Sequence, residues 1–306
     1  MTRTATTADV IVRSLIDHGV DTVFGLPGVQ TYPLFDAMSR SGIRIIGARH
    51  EQTVAYMAFG YAQATGRTGV YSVVPGPGFL NSSAALISAY GASAPVVCLT
   101  GEIPSKFIGR GLGHLHELPD QLATIRSLTK WAATVEHPGQ ASELTAQAFY
   151  HARQGRPRPT AIAVPWDVLA APAPAPAGAG AVRPIPVRTP ELDHAAVARA
   201  ARLLAGASNP MIMVGGGARD AAAQVRELSR RLQAPVVSFR GAGHRRRCRP
   251  VRLHLRRRLP ALGGHRRAAR HRDPARACLV PLAGPARRAA DGAHRHRPGA
   301  GGQARA

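Results

Sequence analysis

Three short turns rich in glycine and proline, together with one carboxylate, form the part of this sequence best suited to chemistry. Residues 25–28 read GLPG, residues 50–52 read HEQ and residues 75–78 read PGPG. Each turn follows a predicted strand, and ligands of open α/β sheets bind beyond the carboxyl ends of the strands. Glycine lets the backbone approach a ligand closely, and proline holds such a turn rigid. We therefore expect the three turns to surround one pocket that contains Glu51.

Each of these features also has a purely structural explanation. Glu51 falls at the start of a predicted helix, where a carboxylate is stabilised by the helix dipole. A PGPG sequence can be a plain connection between a strand and a helix. The functional interpretation therefore depends on the presence of all three turns, in this order, and not on any one of them.

Strands and helices alternate through the first part of the chain. Residues 7–18 have apolar positions at helical spacing behind a threonine, residues 51–64 predict a long helix, and residues 70–74 predict a fully apolar strand. Strands that are apolar on both faces are typical of a parallel sheet covered by helices on both sides. The sequence thus predicts an α/β domain with such a sheet over residues 1–170.

The pattern changes after this domain. Residues 171–190 are rich in proline and alanine, which predicts a semi-rigid interdomain linker. Residues 191–239 show a second α/β pattern of two strands and two helices, too few for an independent α/β domain. We therefore expect a partial second domain that is cut off near residue 240.

Residues 240–306 differ in composition from the rest of the chain. They contain 19 arginines, two aspartates, and no lysine, isoleucine, methionine or aromatic residue, so they carry +17 of the net charge of +23. Such a composition can bury little apolar surface against its ordering entropy, and we expect a disordered tail. Because the common residues of this tail have GC-rich codons, the simplest hypothesis is a reading-frame shift near residue 240.

Binding of nucleic acid through this tail is the weaker alternative. The arginine runs at residues 245–247 and 256–258 would contact phosphates. However, the tail has no aromatic side chain on which a base could stack and no recognised nucleic-acid-binding module. Its histidines also lack a zinc-binding spacing, despite Cys248.

The composition argues against secreted and membrane proteins. Three cysteines give no disulfide framework, and Cys98 lies in an apolar run that predicts a buried side chain. No apolar stretch reaches the roughly 18 residues that a membrane span requires. The N-terminus lacks the apolar core of a signal peptide. The sequence therefore favours a cytoplasmic protein without a membrane partner.

Taken together, the turns and their flanking residues resemble a known family. The matching stretches are VDTVFGLPGVQTYPLFDAM, IRIIGARHEQTVAYMAFGYAQATGRTGVYSVVPGPGFLNSSAAL, PVVCLTGEIP and GRPRPTAIAVPWDV. They are similar to the N-terminal pyrimidine-binding domain of thiamine-diphosphate-dependent enzymes, of the acetolactate synthase and 2-oxoacid decarboxylase type. The resemblance runs from about residue 5 to residue 170, and it continues more weakly through NPMIMVGGGA to PVVSF in the middle domain.

The resemblance implies roles for individual residues. The glutamate that matches Glu51 hydrogen-bonds a ring nitrogen of the cofactor's aminopyrimidine and, through this proton, activates the cofactor to attack a 2-oxo acid. His116 falls where acetolactate synthases have a glutamine, which puts acetolactate formation in doubt. It could transfer protons, or it could be a loop histidine exposed to solvent. The residues expected to line the pyrimidine pocket are Pro27, Gly28, Val74, Pro77 and Asn81.

The resemblance also implies cofactors and partners. Arg156 matches an arginine that touches FAD in flavin-containing members, and residues 215–217 (GGG) could approach a nucleotide diphosphate, so FAD could bind as well. Family members bind Mg²⁺ and the diphosphate through a Gly-Asp-Gly motif in a third domain, and this sequence has no such motif. Active sites of the family lie between subunits, so we expect a homo-oligomer or a full-length homologue as partner. The expected function is that of a lyase or transferase acting on 2-oxo acids, in a truncated form that is inactive alone. The alternative is a non-catalytic subunit that docks on a full-length homologue.

Overall fold

The structure, a computed structural model, describes residues 4–173 and 184–238. The predicted disorder of residues 240–306, the arginine runs within them and half of the predicted linker lie outside the described residues. The domain limits expected from the sequence stay a prediction.

The described residues alternate between strands and helices along the chain. The strands are β1 (Thr22–Gly25), β2 (Arg44–Gly47), β3 (Gly69–Val73), β4 (Val96–Glu102), β5 (Trp131–Thr134), β6 (Thr160–Pro165), β7 (Ile212–Val214) and β8 (Val236–Ser238). The α-helices are α1 (Thr7–Asp17), α2 (Tyr32–Ser39), α3 (Glu51–Thr65), α4 (Pro77–Gly91), α5 (Gln121–Leu128), α6 (Ala141–Arg153), α7 (Trp166–Ala170), α8 (His194–Ala205) and α9 (Ala222–Leu232).

Strands β1 to β6 form one parallel sheet in the order β2-β1-β3-β4-β6-β5. The register places Phe24 beside Tyr71, and Tyr71 beside Cys98. After β2 the chain returns to the opposite side of β1, so the strand order reverses between β1 and β3. Ligands of open α/β sheets bind at such a switch point. The predicted fold class, a parallel sheet covered by helices on both faces, is confirmed.

Two hydrophobic cores cover the two faces of the sheet. On one face α1, α2, α6 and α7 bury side chains such as Ile11 and Met38. On the other face α3, α4 and α5 bury side chains such as Leu86 and Ile125. Cys98 is fully buried in this second core, as the sequence predicts, and burial raises the pKa of its thiol to about 12. The central strands β3 and β4 are buried along their whole length, because helices pack on them from both sides.

Local sequence explains where several helices begin and end. Thr6 and Asp9 form a capping box at the start of α1. Helix α3 ends at Gly66, whose left-handed backbone (φ 75°) suits glycine. Helix α4 begins at Pro77, since proline is well tolerated at the first helical position. The second half of the PGPG segment is therefore already helical.

Residues 184–238 contribute α8, α9 and a separate two-stranded parallel sheet formed by β7 and β8. Helices α8 and α9 contain no buried residue. The side chains of Leu203 and Met213 are 77% and 61% exposed. This part of the chain therefore encloses no apolar core of its own. No helix in the described ranges is long and apolar enough to cross a bilayer.

Candidate functional site

The three turns predicted from the sequence come together around Val74 at the carboxyl edge of the sheet. A Cβ atom added to Gly28 would lie 2.4 Å from Val74 Cγ1, and one added to Gly78 would lie 2.5 Å from Val74 Cγ2. The Gly78 position is also 3.7 Å from Glu51 Oε1. Both glycines are required by packing because the buried Val74 side chain fills the space that a larger residue would need. The structure thus brings Glu51 beside the two glycine-containing turns.

The Glu51 carboxylate is held at the first position of α3. Asn81 Nδ2, from α4, donates a hydrogen bond to Glu51 Oε2 at 3.0 Å. His50 caps the same helix, since its Nδ1 accepts from the backbone N–H of Gln52 at 3.2 Å. Glu51 is half-buried, and its Oε1 accepts no hydrogen bond within the described part of the chain. One carboxylate oxygen is therefore fixed, while the oxygen near Gly78 remains available to a ligand.

The proline residues predicted for the pocket lie in the same two turns. Pro27 directly precedes Gly28, and Pro77 directly precedes Gly78. Both proline side chains are exposed, whereas Val74 between the turns is buried. The site therefore has an apolar floor and an open, rigid rim.

The PGPG segment forms a tight turn that only glycine fits. The backbone N–H of Gly78 donates to the carbonyl of Pro75 at 3.3 Å. Gly76 has φ 58° and ψ −120°, the first central position of a type II′ turn, which favours glycine. A Cβ atom on Gly76 would also lie 2.4 Å from the carbonyl oxygen of His116. The loop that carries His116 therefore packs directly against this turn.

His116 is tied to a buried glutamine. Its Nδ1 lies 3.1 Å from Oε1 of Gln30, and Nε2 of Gln30 donates to the carbonyl of Leu115 at 3.0 Å. Because Oε1 of Gln30 can only accept, the Nδ1 of His116 carries the proton. In the neutral ring, Nε2 is then a hydrogen-bond acceptor. His116 is half-buried and adopts a left-handed backbone (φ 70°), so it differs from a freely exposed loop histidine.

Gln121 is a site residue that sequence reasoning missed. It is 3% exposed, and its side chain bridges two neighbouring segments of the sheet edge. Its Oε1 accepts from the backbone N–H of Gly76, and its Nε2 donates to the carbonyl of Gly101, both at 2.9 Å. In the sequence Gln121 looks like an ordinary first-turn residue behind the helix cap Asp120. No local pattern distinguishes it from an exposed glutamine.

Glu102, the last residue of β4, was also missed. It is 6% exposed, and its Oε1 accepts from the backbone N–H of Ile103 at 2.9 Å. Burial raises the pKa of this carboxyl to about 7, and the charges of Glu117 and Asp120 act in the same direction. The available signal was a single carboxylate at the end of an otherwise apolar strand.

Arg156 lies away from Glu51. It precedes β6, at the amino edge of the sheet, and its Nε donates to Ser93 Oγ at 2.8 Å. It lines a cavity of about 790 Å³ together with Arg153, Gly216 and Gly217. The structure thus places Arg156 beside the glycine-rich stretch that was predicted to approach a nucleotide, and not beside the three turns.

Two protein-family models match this chain. Residues 5–124 match the model described as thiamine pyrophosphate enzyme, N-terminal TPP binding domain. Residues 197–245 match the model described as thiamine pyrophosphate enzyme, central domain. The first match contains the three turns and His116.

Curated relatives match both of these regions. The chain is 42% identical over 242 residues to the probable 2-ketoarginine decarboxylase AruI of Pseudomonas aeruginosa, a match covering 79% of this chain and 43% of that protein. It is 36% identical over 210 residues to the acetolactate synthase isozyme 2 large subunit of Escherichia coli, covering 69% and 37%. It is 34% identical over 241 residues to the acetolactate synthase of Arthrospira platensis, covering 76% and 41%. The chain therefore spans less than half the length of these relatives.

Proposed function

Because this chain belongs to the thiamine pyrophosphate enzymes, we propose that it carries the pyrimidine-binding side of a site that acts on 2-oxo acids. The observation that carries the proposal is the Glu51 carboxylate, held by Asn81 at the switch point of the sheet beside two glycine turns. One relative is named for the decarboxylation of a 2-oxo acid, and others are named acetolactate synthases. His116, in place of the expected glutamine, favours a reaction other than acetolactate formation.

The residues around Glu51 fit the aminopyrimidine part of thiamine diphosphate. A flat ring with polar nitrogens requires close apolar walls and a few placed hydrogen-bonding groups. Glu51 offers the carboxylate, Val74 offers an apolar wall, and Gly28 with Gly78 allows the backbone to come close. The remaining residues of the proposed pocket are Pro27, Pro77 and Asn81.

Thiamine diphosphate, when bound, supplies the electron sink for breaking a bond next to the carbonyl of a 2-oxo acid. Glu51 would share a proton with a ring nitrogen through Oε1, because Asn81 already occupies Oε2. His116 would accept or return a proton at Nε2, because Gln30 fixes the other ring proton at Nδ1. The buried Val74 side chain would keep water away from one side of the shared proton.

Binding of thiamine itself tests this role of Glu51, because thiamine has the aminopyrimidine but no diphosphate. Calorimetric titration of the full chain should detect thiamine, and Glu51→Gln should weaken binding about tenfold, the value of one charged hydrogen bond. Glu143→Gln is the control, since this exposed carboxylate lies on α6, in the helix layer on the other face of the sheet, and bonds Gln147. Equal thiamine binding by the Glu51→Gln and unmodified chains would contradict the proposal.

We further propose that this chain does not turn over 2-oxo acids by itself. The sequence has no Gly-Asp-Gly motif for Mg²⁺ and diphosphate, and no cluster of three possible metal ligands occurs in residues 4–173 and 184–238. Measurable consumption of pyruvate with thiamine diphosphate and Mg²⁺ would refute this proposal. Translating the other two frames of the gene beyond codon 240 tests the frame-shift hypothesis, which expects the rest of the middle domain followed by a Gly-Asp-Gly motif.

A second subunit is the partner that we propose for this chain, either another copy or a full-length homologue. The supporting observation is a row of exposed apolar side chains on α3 and α4, in which Tyr56, Leu80 and Ile87 are 39%, 42% and 52% exposed. Leu80 adjoins Asn81, so this surface borders the Glu51 site, and exposed apolar patches mark interaction surfaces. The test mixes this chain with a full-length homologue in which the glutamate that matches Glu51 is replaced by glutamine. Activity should return only when Glu51 of this chain is intact.

FAD is the ligand that we propose for the cavity beside Arg156. Its lining offers cationic groups from Arg153, Arg156 and Arg219 and a glycine-rich stretch at residues 216–217, which suit a nucleotide diphosphate. Quenching of flavin fluorescence by the full chain measures this binding. Arg156→Ala should weaken it, whereas Arg13→Ala, at an exposed arginine on α1, should not.

A further inference from the structure

A second cavity, of about 530 Å³, opens at the carboxyl ends of β4, β5 and β6. Its lining combines apolar side chains with carboxylates. The apolar side chains include Ile103, Ile108 and Leu122, and the carboxylates are Glu102, Asp120 and Glu136. All the residues that line this cavity lie in the described part of the chain, and none of them is a lysine or an arginine. A cavity with apolar walls, acidic groups and no basic group suits an alkyl chain that ends in a cation.

Glu102 is the deepest of these carboxylates and has an unused oxygen. Glu102 is 6% exposed, and its one hydrogen bond within the described residues is the bond from Ile103 N–H to Oε1. Oε2 therefore lacks a donor although the residue lines the cavity. A buried carboxylate is costly unless a cation or further donors neutralise it. Glu117 does not compensate Glu102, because it is itself acidic and binds the backbone N–H groups of Gly111 and His114.

This cavity adjoins the Glu51 site through Gln121. Gln121 lines the cavity, and its Oε1 holds the backbone N–H of Gly76 in the turn beside Glu51. The sheet register also places Glu102 beside this turn. The last paired residues of β3 and β4 are Val73 and Thr100, so Glu102, two residues further along β4, lies alongside the start of that turn. The cavity therefore lies next to the turn at the Glu51 site, and Gln121 contacts both.

We infer that this cavity binds the guanidinium end of the substrate, so that the substrate is a 2-oxo acid with an alkylguanidinium side chain. This inference rests on the proposed function for its 2-oxo acid end. The guanidinium group would donate to Oε2 of Glu102, and the apolar walls would contact the alkyl chain. A guanidinium is preferred over an ammonium because its planar fork of donors matches a carboxylate and is less strongly hydrated.

Butylguanidinium and butylurea are matched probes for this site, because they have nearly the same shape and only the first is charged. Calorimetric titration of the full chain at pH 8 should detect butylguanidinium and not butylurea. Glu102→Gln should weaken butylguanidinium binding about tenfold or more, because a charge-assisted hydrogen bond is lost. Glu143→Gln, at an exposed carboxylate on α6, should bind like the unmodified chain. Glutamine keeps the shape of Glu102, and thermal unfolding would verify that the variant is folded.

The pH dependence provides a second readout. Because burial raises the pKa of Glu102 to about 7, butylguanidinium affinity should rise up to about tenfold per pH unit below this value and level off above it. The other acidic groups facing this region are Glu117, Asp120 and Glu136, with Asp167 behind Ser105. The Glu102→Gln chain keeps these groups, so it should lack the dependence centred near pH 7.

Several outcomes would overturn the inference. These are no binding of butylguanidinium, equal binding by Glu102→Gln, or equal binding of butylurea. A competition experiment tests the proposed substrate. 5-Guanidino-2-oxopentanoate should displace butylguanidinium, and 2-oxohexanoate should not. The reverse result would also overturn the inference. The Glu51→Gln chain should bind butylguanidinium normally. Failure of the thiamine test at Glu51 and failure of the cation test at Glu102 are therefore distinguishable.

Discussion

Replacing Gly76 by alanine tests the packing between the turn and the His116 loop. Gly76 has a positive φ of 58°, and its position for a Cβ atom lies 2.4 Å from the carbonyl oxygen of His116. Alanine at positive φ costs about 1–2 kcal/mol. Displacing a packed backbone segment adds about 1–3 kcal/mol. Because alanine has less conformational freedom than glycine in the unfolded chain, it offsets about 0.4–1 kcal/mol of this loss. We therefore expect the free energy of unfolding to fall by about 2–4 kcal/mol.

Gly19→Ala is the matched control for this substitution. Gly19 also has a positive φ, of 76°, but nothing lies within 4 Å of its Cβ position. It should therefore show the backbone strain without the collision, a loss of about 1 kcal/mol. Urea unfolding of both variants, followed by circular dichroism, measures the difference. If Gly76→Ala lost no more stability than Gly19→Ala, the His116 loop would not pack on this turn as the structure places it.

Two further predictions concern buried polar side chains near the same edge. Gln121→Ala should lower the free energy of unfolding by about 2–4 kcal/mol, because it leaves the N–H of Gly76 and the carbonyl of Gly101 without their partner. Gln147→Ala is the control in the same urea assay: Gln147 is half-buried, its bond to Glu143 lies at the surface, and its loss should cost under about 0.5 kcal/mol. The pKa of Glu102 in the folded chain is about 7, above its ordinary value near 4.5. Between these two values the folded chain binds more protons than the unfolded chain. The protonated carboxyl therefore stabilises the fold below pH 4.5, and this stabilisation is lost as the pH rises to about 7. The loss should reach about 2–3 kcal/mol by urea unfolding between pH 4 and pH 8, and a Glu102→Gln chain with the unmodified pH profile would contradict this assignment.

The sequence by itself determined the sheet and the position of the three turns. Predominantly apolar runs of five to seven residues separated by helical patterns favour a parallel sheet covered by helices on both faces. The end of each run fixes where a turn must lie, and parallel strands place these turns at one edge. Glu51 was thus correctly expected at the start of a helix near residues 25–28 and 75–78.

Only the tertiary structure decided which side chains complete the site. Gln30 and His116 are 86 residues apart in the chain, and Gln121 reaches Gly76 across 45 residues. The long segment between β4 and α5 has no hydrophobic periodicity, so its sequence does not fix its path. Its contacts follow from the space left above β3 and β4 once the sheet has formed. The same packing buries Glu102 and raises its pKa, because the dielectric environment of a carboxylate depends on all the segments that surround it.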